Sequence, residues 1–133
     1  MKIFILLFSI SISLFSAEYS VVVNKNSKIL KLSKKQIKDI YLKKRHFIDD
    51  VKVVPINMSS SSQARKQFDS QVLKYNSEKL NRHWVKLHFQ GVTPPIIQSS
   101  TKSMKLFVQN VDSTIGYLPS ESVDSSLRVI YEF

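Results

Sequence analysis

The chain has 133 residues, enough for one domain with a modest core, and it contains no cysteine, so disulfides and cysteine chemistry are excluded. Twenty Lys and Arg face ten Asp and Glu, for a formal charge of +10, and such a field favours anionic partners. Only two glycines occur, Gly91 and Gly116, which excludes Gly-rich phosphate cradles.

"MKIFILLFSISISLFSA" opens with one lysine, continues apolar from Ile3 to Phe15 and ends on small residues. That layout predicts a secretory signal peptide over 1–17, cleaved near Ala17, with an uncleaved signal anchor as the competing reading. The apolar stretch is short for a span of roughly 20 residues, so the mature form is not expected to cross a membrane. Export without disulfides points to the periplasm or to secretion. One domain is expected over 18–133.

"EYSVVVN" (18–24) reads as the first strand from its β-branched run. Ser33 is placed to cap a helix "KKQIKDIYL" whose Ile37, Ile40 and Tyr41 share one face. "KKRHFIDD" reads as a basic loop with a turn at Asp49-Asp50, followed by a strand "VKVVPIN" (51–57) in which Pro55 marks an edge or an end. Four serines, Ser59–Ser62, then lead into a helical pattern with Ala64, Phe68 and Val72 spaced by four. Asn76-Ser77 breaks that helix, and Ser77 is expected to cap the next, striped by Leu80, Trp84 and Leu87. Gly91 and Pro94-Pro95 end it. Ser100 or Thr101 caps a fourth helix with Met104, Phe107, Val108 and Val111 inward. "TIGYL" and "LRVIYEF" close the chain as a hairpin-like pair of strands.

Alternating strands and helices predict an α/β domain, a mixed sheet flanked by helices. Ligands in such sheets sit where strand C-termini meet helix N-termini, and the serine run stands at one such junction. Unpaired N–H groups of a first helical turn carry partial positive charge, and serine hydroxyls adapt to a tetrahedral oxyanion. Ser59, Ser60, Ser61 and Ser62 are therefore the candidate anion ligands, with Arg65 offering a bidentate fork one turn in. The bland alternative has one serine capping the helix while Arg65 lies along the surface.

Enzymatic signals are missing. No G-x-S-x-G elbow and no H-E-x-x-H occurs, and His83 and His88 are five apart, which splays them off one helical face. No catalytic residue, metal ligand or cofactor is expected, and the chain is not read as an enzyme.

Several segments, in order, resemble one family. "LSKKQIKDIYLKKRHFIDDVKVVPIN", "SQARKQF" (Ser62, Arg65, Phe68), "HWVKLHFQGVTPP" and "TIGYL" are together similar to short periplasmic proteins like the substrate-binding component of phosphate ABC transporters. The likeness covers about residues 20–130. It implies a single lobe of a type 2 periplasmic-binding-protein-like fold, with phosphate or another oxyanion at the serine turn and ABC transporter membrane subunits or an envelope protein as partners. Full-length relatives clamp phosphate between two lobes and use an arginine, an aspartate and a Ser-Gly-Thr run. Here the strand ends "PINM", and Ser60–Ser62 stand at the Ser-Gly-Thr place without its glycine. Weak binding is therefore expected, roughly millimolar to high micromolar or about −4 to −6 kcal/mol. The alternative function is a basic envelope module that docks polyanions or an acidic protein without a transport role, through the ten basic residues between Lys25 and Lys52. The export signal argues against nucleic acid as the partner.

Overall fold

The computed structural model describes residues 17–133. The signal-peptide reading lies outside them, apart from Ala17. β1 (Tyr19–Asn24) is buried along its whole length, which explains why Val21, Val22 and Val23 follow one another without a polar alternation. α1 (Lys34–Tyr41) starts on Ser33 in a full capping box with Gln36 and buries Ile37, Ile40 and Tyr41. A short hairpin follows, β2 (Phe47–Ile48) and β3 (Val51–Lys52), turning at Asp49 with φ of 50°. The single strand expected over 51–57 is therefore two: after Val53, β4 (Val54–Met58) joins a different sheet.

α2 (Gln63–Phe68) runs straight into one π-helical turn, Asp69–Leu73, which ends on Lys74 in the left-handed region. α3 (Ser77–His88) is capped by Asn76, not Ser77: the Asn76 side chain accepts from Lys79 N at 2.8 Å. β5 (Ile96–Gln98) was not expected from sequence. α4 (Thr101–Asn110) is capped by Ser100 and buries Met104 and Val108; Val111 is 44 % exposed because the helix has ended and the backbone there is extended. β6 (Thr114–Pro119) and β7 (Leu127–Glu132) complete the chain.

The main sheet has the order β5-β4-β6-β1-β7. β4 runs parallel to both β5 and β6, while β1 runs antiparallel to β6 and β7. The closing strands thus form no hairpin: β1 is inserted between them, so the first strand of the chain completes the sheet that the last two would otherwise share.

Residues alternate across β6 and define the two faces. Gly116 faces α4, where a Cβ would lie 2.5 Å from Met104 Sδ. Tyr117 faces the other way and stacks on Phe68 of α2, centroids 4.2 Å apart and 5° from parallel. Tyr41 of α1 packs against Phe68 at 4.6 Å and donates its hydroxyl to the carbonyls of Ile56 (2.9 Å) and Ile115 (3.1 Å). This aromatic layer, buried with Ile56, Val72 and Leu73, clamps α1 and α2 onto the C-terminal half of β4. It fixes where α2 begins.

Candidate functional site

The serine turn spans the end of β4 and the start of α2. Its first residue is tied to the neighbouring strand: Ser59 N donates to Gln98 O of β5 at 3.1 Å. Its last residue caps the helix, with Ser62 Oγ accepting from Arg65 N at 3.1 Å and donating to Ser59 O at 2.8 Å. Between these anchors Ser60 and Ser61 are exposed, and Ser59 and Ser61 share a hydroxyl hydrogen bond of 3.0 Å. Among the described residues none accepts a hydrogen bond from the Ser60 or Ser61 backbone N–H. The tip thus presents two amides and adaptable hydroxyls at a helix start.

The floor of the turn is held from below. Asn57, buried beside Met58, accepts hydrogen bonds on Oδ1 from Met58 N (2.9 Å) and from the Tyr117 hydroxyl. Burial pushes the phenols of Tyr117 and Tyr41 well above their ordinary value, so both remain neutral donors.

Arg65 is one turn into the helix, as expected, but its fork is already engaged. Nε donates to both carboxylate oxygens of Asp69, at 3.0 and 2.9 Å, and Nη1 donates to Met58 O at 2.9 Å. The pair is mostly buried, with side-chain exposures of 14 % and 20 %. Burial raises the Asp69 carboxyl above its ordinary value, and the Arg65 charge and hydrogen bonds work against that rise. Arg65 therefore braces strand end to helix. The partner that occupies it was visible in the sequence as an Arg–Asp pair at i,i+4. Beside the turn, Ser60, Arg65, Lys66, Lys74, Tyr75 and Leu80 line an open groove of about 770 Å³. Lys79 Nζ lies 4.1 Å from the Tyr75 ring centroid and Lys38 Nζ 5.0 Å from it.

The histidines are apart. His83 Nε2 contacts Leu42 O at 2.8 Å and docks α3, while His46 and His88 are exposed. Among the described residues no group of three or more His, Asp or Glu gathers as metal ligands.

A mixed five-stranded sheet with helices on both faces, and a polar strand-to-helix turn at its parallel edge, is the architecture of a type 2 periplasmic-binding-protein-like lobe. Solved structures show the same fold. One, from Clostridium perfringens, is assigned as a phosphate ABC transporter substrate-binding protein and holds bound phosphate; it superposes with a TM-score of 0.70 at 23 % identity over 86 % of this chain and 44 % of its own. An ABC-type phosphate transport receptor from Vibrio cholerae matches with a TM-score of 0.68 at 20 % identity, over 86 % and 45 %. PstS from Borrelia burgdorferi matches with a TM-score of 0.65 at 14 % identity, over 86 % and 46 %. This chain thus spans less than half the length of these proteins. No protein-family model matches it, and no curated protein is similar to it. Among the described residues no helix is long and apolar enough to cross a membrane.

Proposed function

We propose that this chain is an exported solute-binding-like domain that takes phosphate or another tetrahedral oxyanion, weakly, at the Ser59–Ser62 turn. The observation that carries the reading is the turn itself: two exposed serines with unengaged amides, pinned between β5 and the α2 cap. A fold shared with a phosphate-bound structure supports it. Arg65 contributes as a fixed charge behind the turn and not as a direct fork, since Asp69 and Met58 O hold it. A single lobe leaves the anion partly in water, where such charges act weakly, so a dissociation constant of roughly 0.1–1 mM is expected. The export signal over 1–17, a periplasmic or secreted location and docking to ABC transporter membrane subunits or an envelope protein belong to the same proposal. Calorimetric titration with phosphate at low ionic strength, against chloride as control, tests it. Saturable heat with phosphate alone is expected; heats indistinguishable from chloride would sink the reading.

One observation favours a second reading, the polyanion-docking module. Of the ten basic residues between Lys25 and Lys52, only Lys35 has a carboxylate partner among the described residues, Asp39 at 2.9 Å. The rest form a field without internal compensation. Retention on heparin should fall steeply with salt, as counterion release requires; salt-independent or absent retention would exclude it.

A further inference from the structure

The basic field is not uniform: it surrounds two apolar side chains that face water. Leu30 is 71 % exposed and Phe47 55 % exposed. Leu30 is flanked by the exposed Lys28 and Lys31. Phe47 follows Lys44, Arg45 and His46, all exposed, and its cross-strand partner in the hairpin is Lys52.

Neither exposure comes from a loose segment. On either side of Leu30, Ile29 and Leu32 are buried at 5 % and 2 %. Arg128 holds the same loop from β7, with Nη1 donating to Ile29 O at 3.0 Å and Nη2 to Lys25 O at 2.8 Å. In the hairpin, Ile48 and Val51 pack against the core, so the strand alternation turns Phe47 and Lys52 outward. The two segments adjoin: Lys28, Leu30 and Lys31 line one cleft of about 310 Å³ with Ile48 and Val51. Asp49 and Asp50 at the hairpin tip and Asp39 are the only acidic residues in this stretch, against ten basic ones, and Asp39 is already paired with Lys35.

We infer that the Lys25–Leu32 loop and the β2–β3 hairpin form a docking surface for an anionic lipid bilayer, with Leu30 and Phe47 entering the headgroup region and the surrounding lysines and Arg45 meeting lipid phosphates. A bilayer uses both parts of the surface, apolar tips and cations, whereas a sulfated polysaccharide or nucleic-acid backbone uses only the charges. The inference sharpens the polyanion reading and is independent of anion binding at the serine turn.

The test places one tryptophan at a time in the full chain, Leu30→Trp or Phe47→Trp, each combined with Trp84→Phe to remove the native signal. These local reporters separate this surface from the apolar stretch at Ile3–Phe15. Vesicles of phosphatidylglycerol with phosphatidylcholine should shift both emissions to the blue, vesicles of phosphatidylcholine alone should not, and added salt should reverse the shift. On the otherwise native chain, Phe47→Ser should lower vesicle partitioning about tenfold, and each basic residue changed to Ser among Lys28, Lys31, Lys44 and Arg45 about fivefold. Unshifted emission at both sites, an equal shift on neutral vesicles, or unchanged partitioning of Phe47→Ser overturns the inference. Retention on heparin without vesicle binding overturns it while sparing the polyanion reading, and failure to bind either overturns both.

Discussion

Gly116→Ala is a one-methyl change whose cost can be worked from the packing of α4 on β6. The added Cβ would lie 2.5 Å from Met104 Sδ and 3.0 Å from Val108 Cγ2. Both neighbours are completely buried, so neither can swing into solvent. Val108 is β-branched on a helix and has one strongly preferred rotamer. Relief must come from a new Met104 rotamer in a filled core or from α4 lifting off the sheet. Such overpacking costs about 1–3 kcal/mol, and the loss of glycine's freedom in the unfolded chain returns about 0.4–1 kcal/mol. The net expectation is a loss of about 1–2 kcal/mol, seen as a fall of roughly 4–10 °C in Tm. Urea unfolding followed by circular dichroism and Trp84 fluorescence measures it. Because Met104 is the closer obstacle, Gly116→Ala should cost little or nothing on a Met104→Ala background. A neutral Gly116→Ala, or strictly additive double-mutant effects, would show that α4 does not close on β6 as described.

Ser62→Ala should lose about 1 kcal/mol of stability with the α2 cap, whereas Ser60→Ala should leave urea unfolding unchanged and weaken phosphate binding in calorimetry. Tyr41 and Tyr117 are both raised by burial, so the folded state keeps protons that unfolded tyrosines release; stability should fall as pH rises past about 10, measured by urea unfolding at increasing pH. The Asp69 carboxyl is also raised, chiefly by burial, so its folded form holds the proton longer and its contribution to stability declines as pH rises through the range just above the ordinary carboxylate value. The stability of the wild type relative to Asp69→Asn should therefore grow between neutral pH and about pH 4, measured by urea unfolding. The same substitution removes the charge that compensates Arg65 and should tighten phosphate binding several-fold.

Local signals in the sequence carried the helices. Ser33 with Gln36, and Ile37, Ile40 and Tyr41 on one face, fix α1 with no help from the rest of the chain. Ala64, Phe68 and Val72 likewise identify the α2 face, although not the π-helical turn that carries Val72. What local pattern does not contain is strand order: β1 separates β6 from β7 because a fully buried strand needs a neighbour on each side, and nothing near Thr114–Glu132 encodes that. β5 escaped because it is three residues long and its two isoleucines, Ile96 and Ile97, are both half-exposed, which shows no alternation. The candidate turn was legible as a strand-to-helix junction. The disposition of Arg65 was only half legible, since Asp69 lies at i,i+4 but the Met58 carbonyl is reached only through the fold. The exposure of Leu30 was hidden in the same way, because its direction depends on Arg128, about one hundred residues later in the chain.

An oxyanion held at the Ser59–Ser62 turn would perturb the backbone amides of that turn before any others. Amide chemical shifts of the ¹⁵N-labelled protein during phosphate titration at low ionic strength test it most directly. Saturable shifts centred on Ser60 and Ser61, extending to Arg65 through the α2 cap, are expected, with a dissociation constant of roughly 0.1–1 mM. No shift at Ser60 and Ser61 up to tens of millimolar phosphate, or shifts confined to the lysines between Lys25 and Lys52, would contradict it.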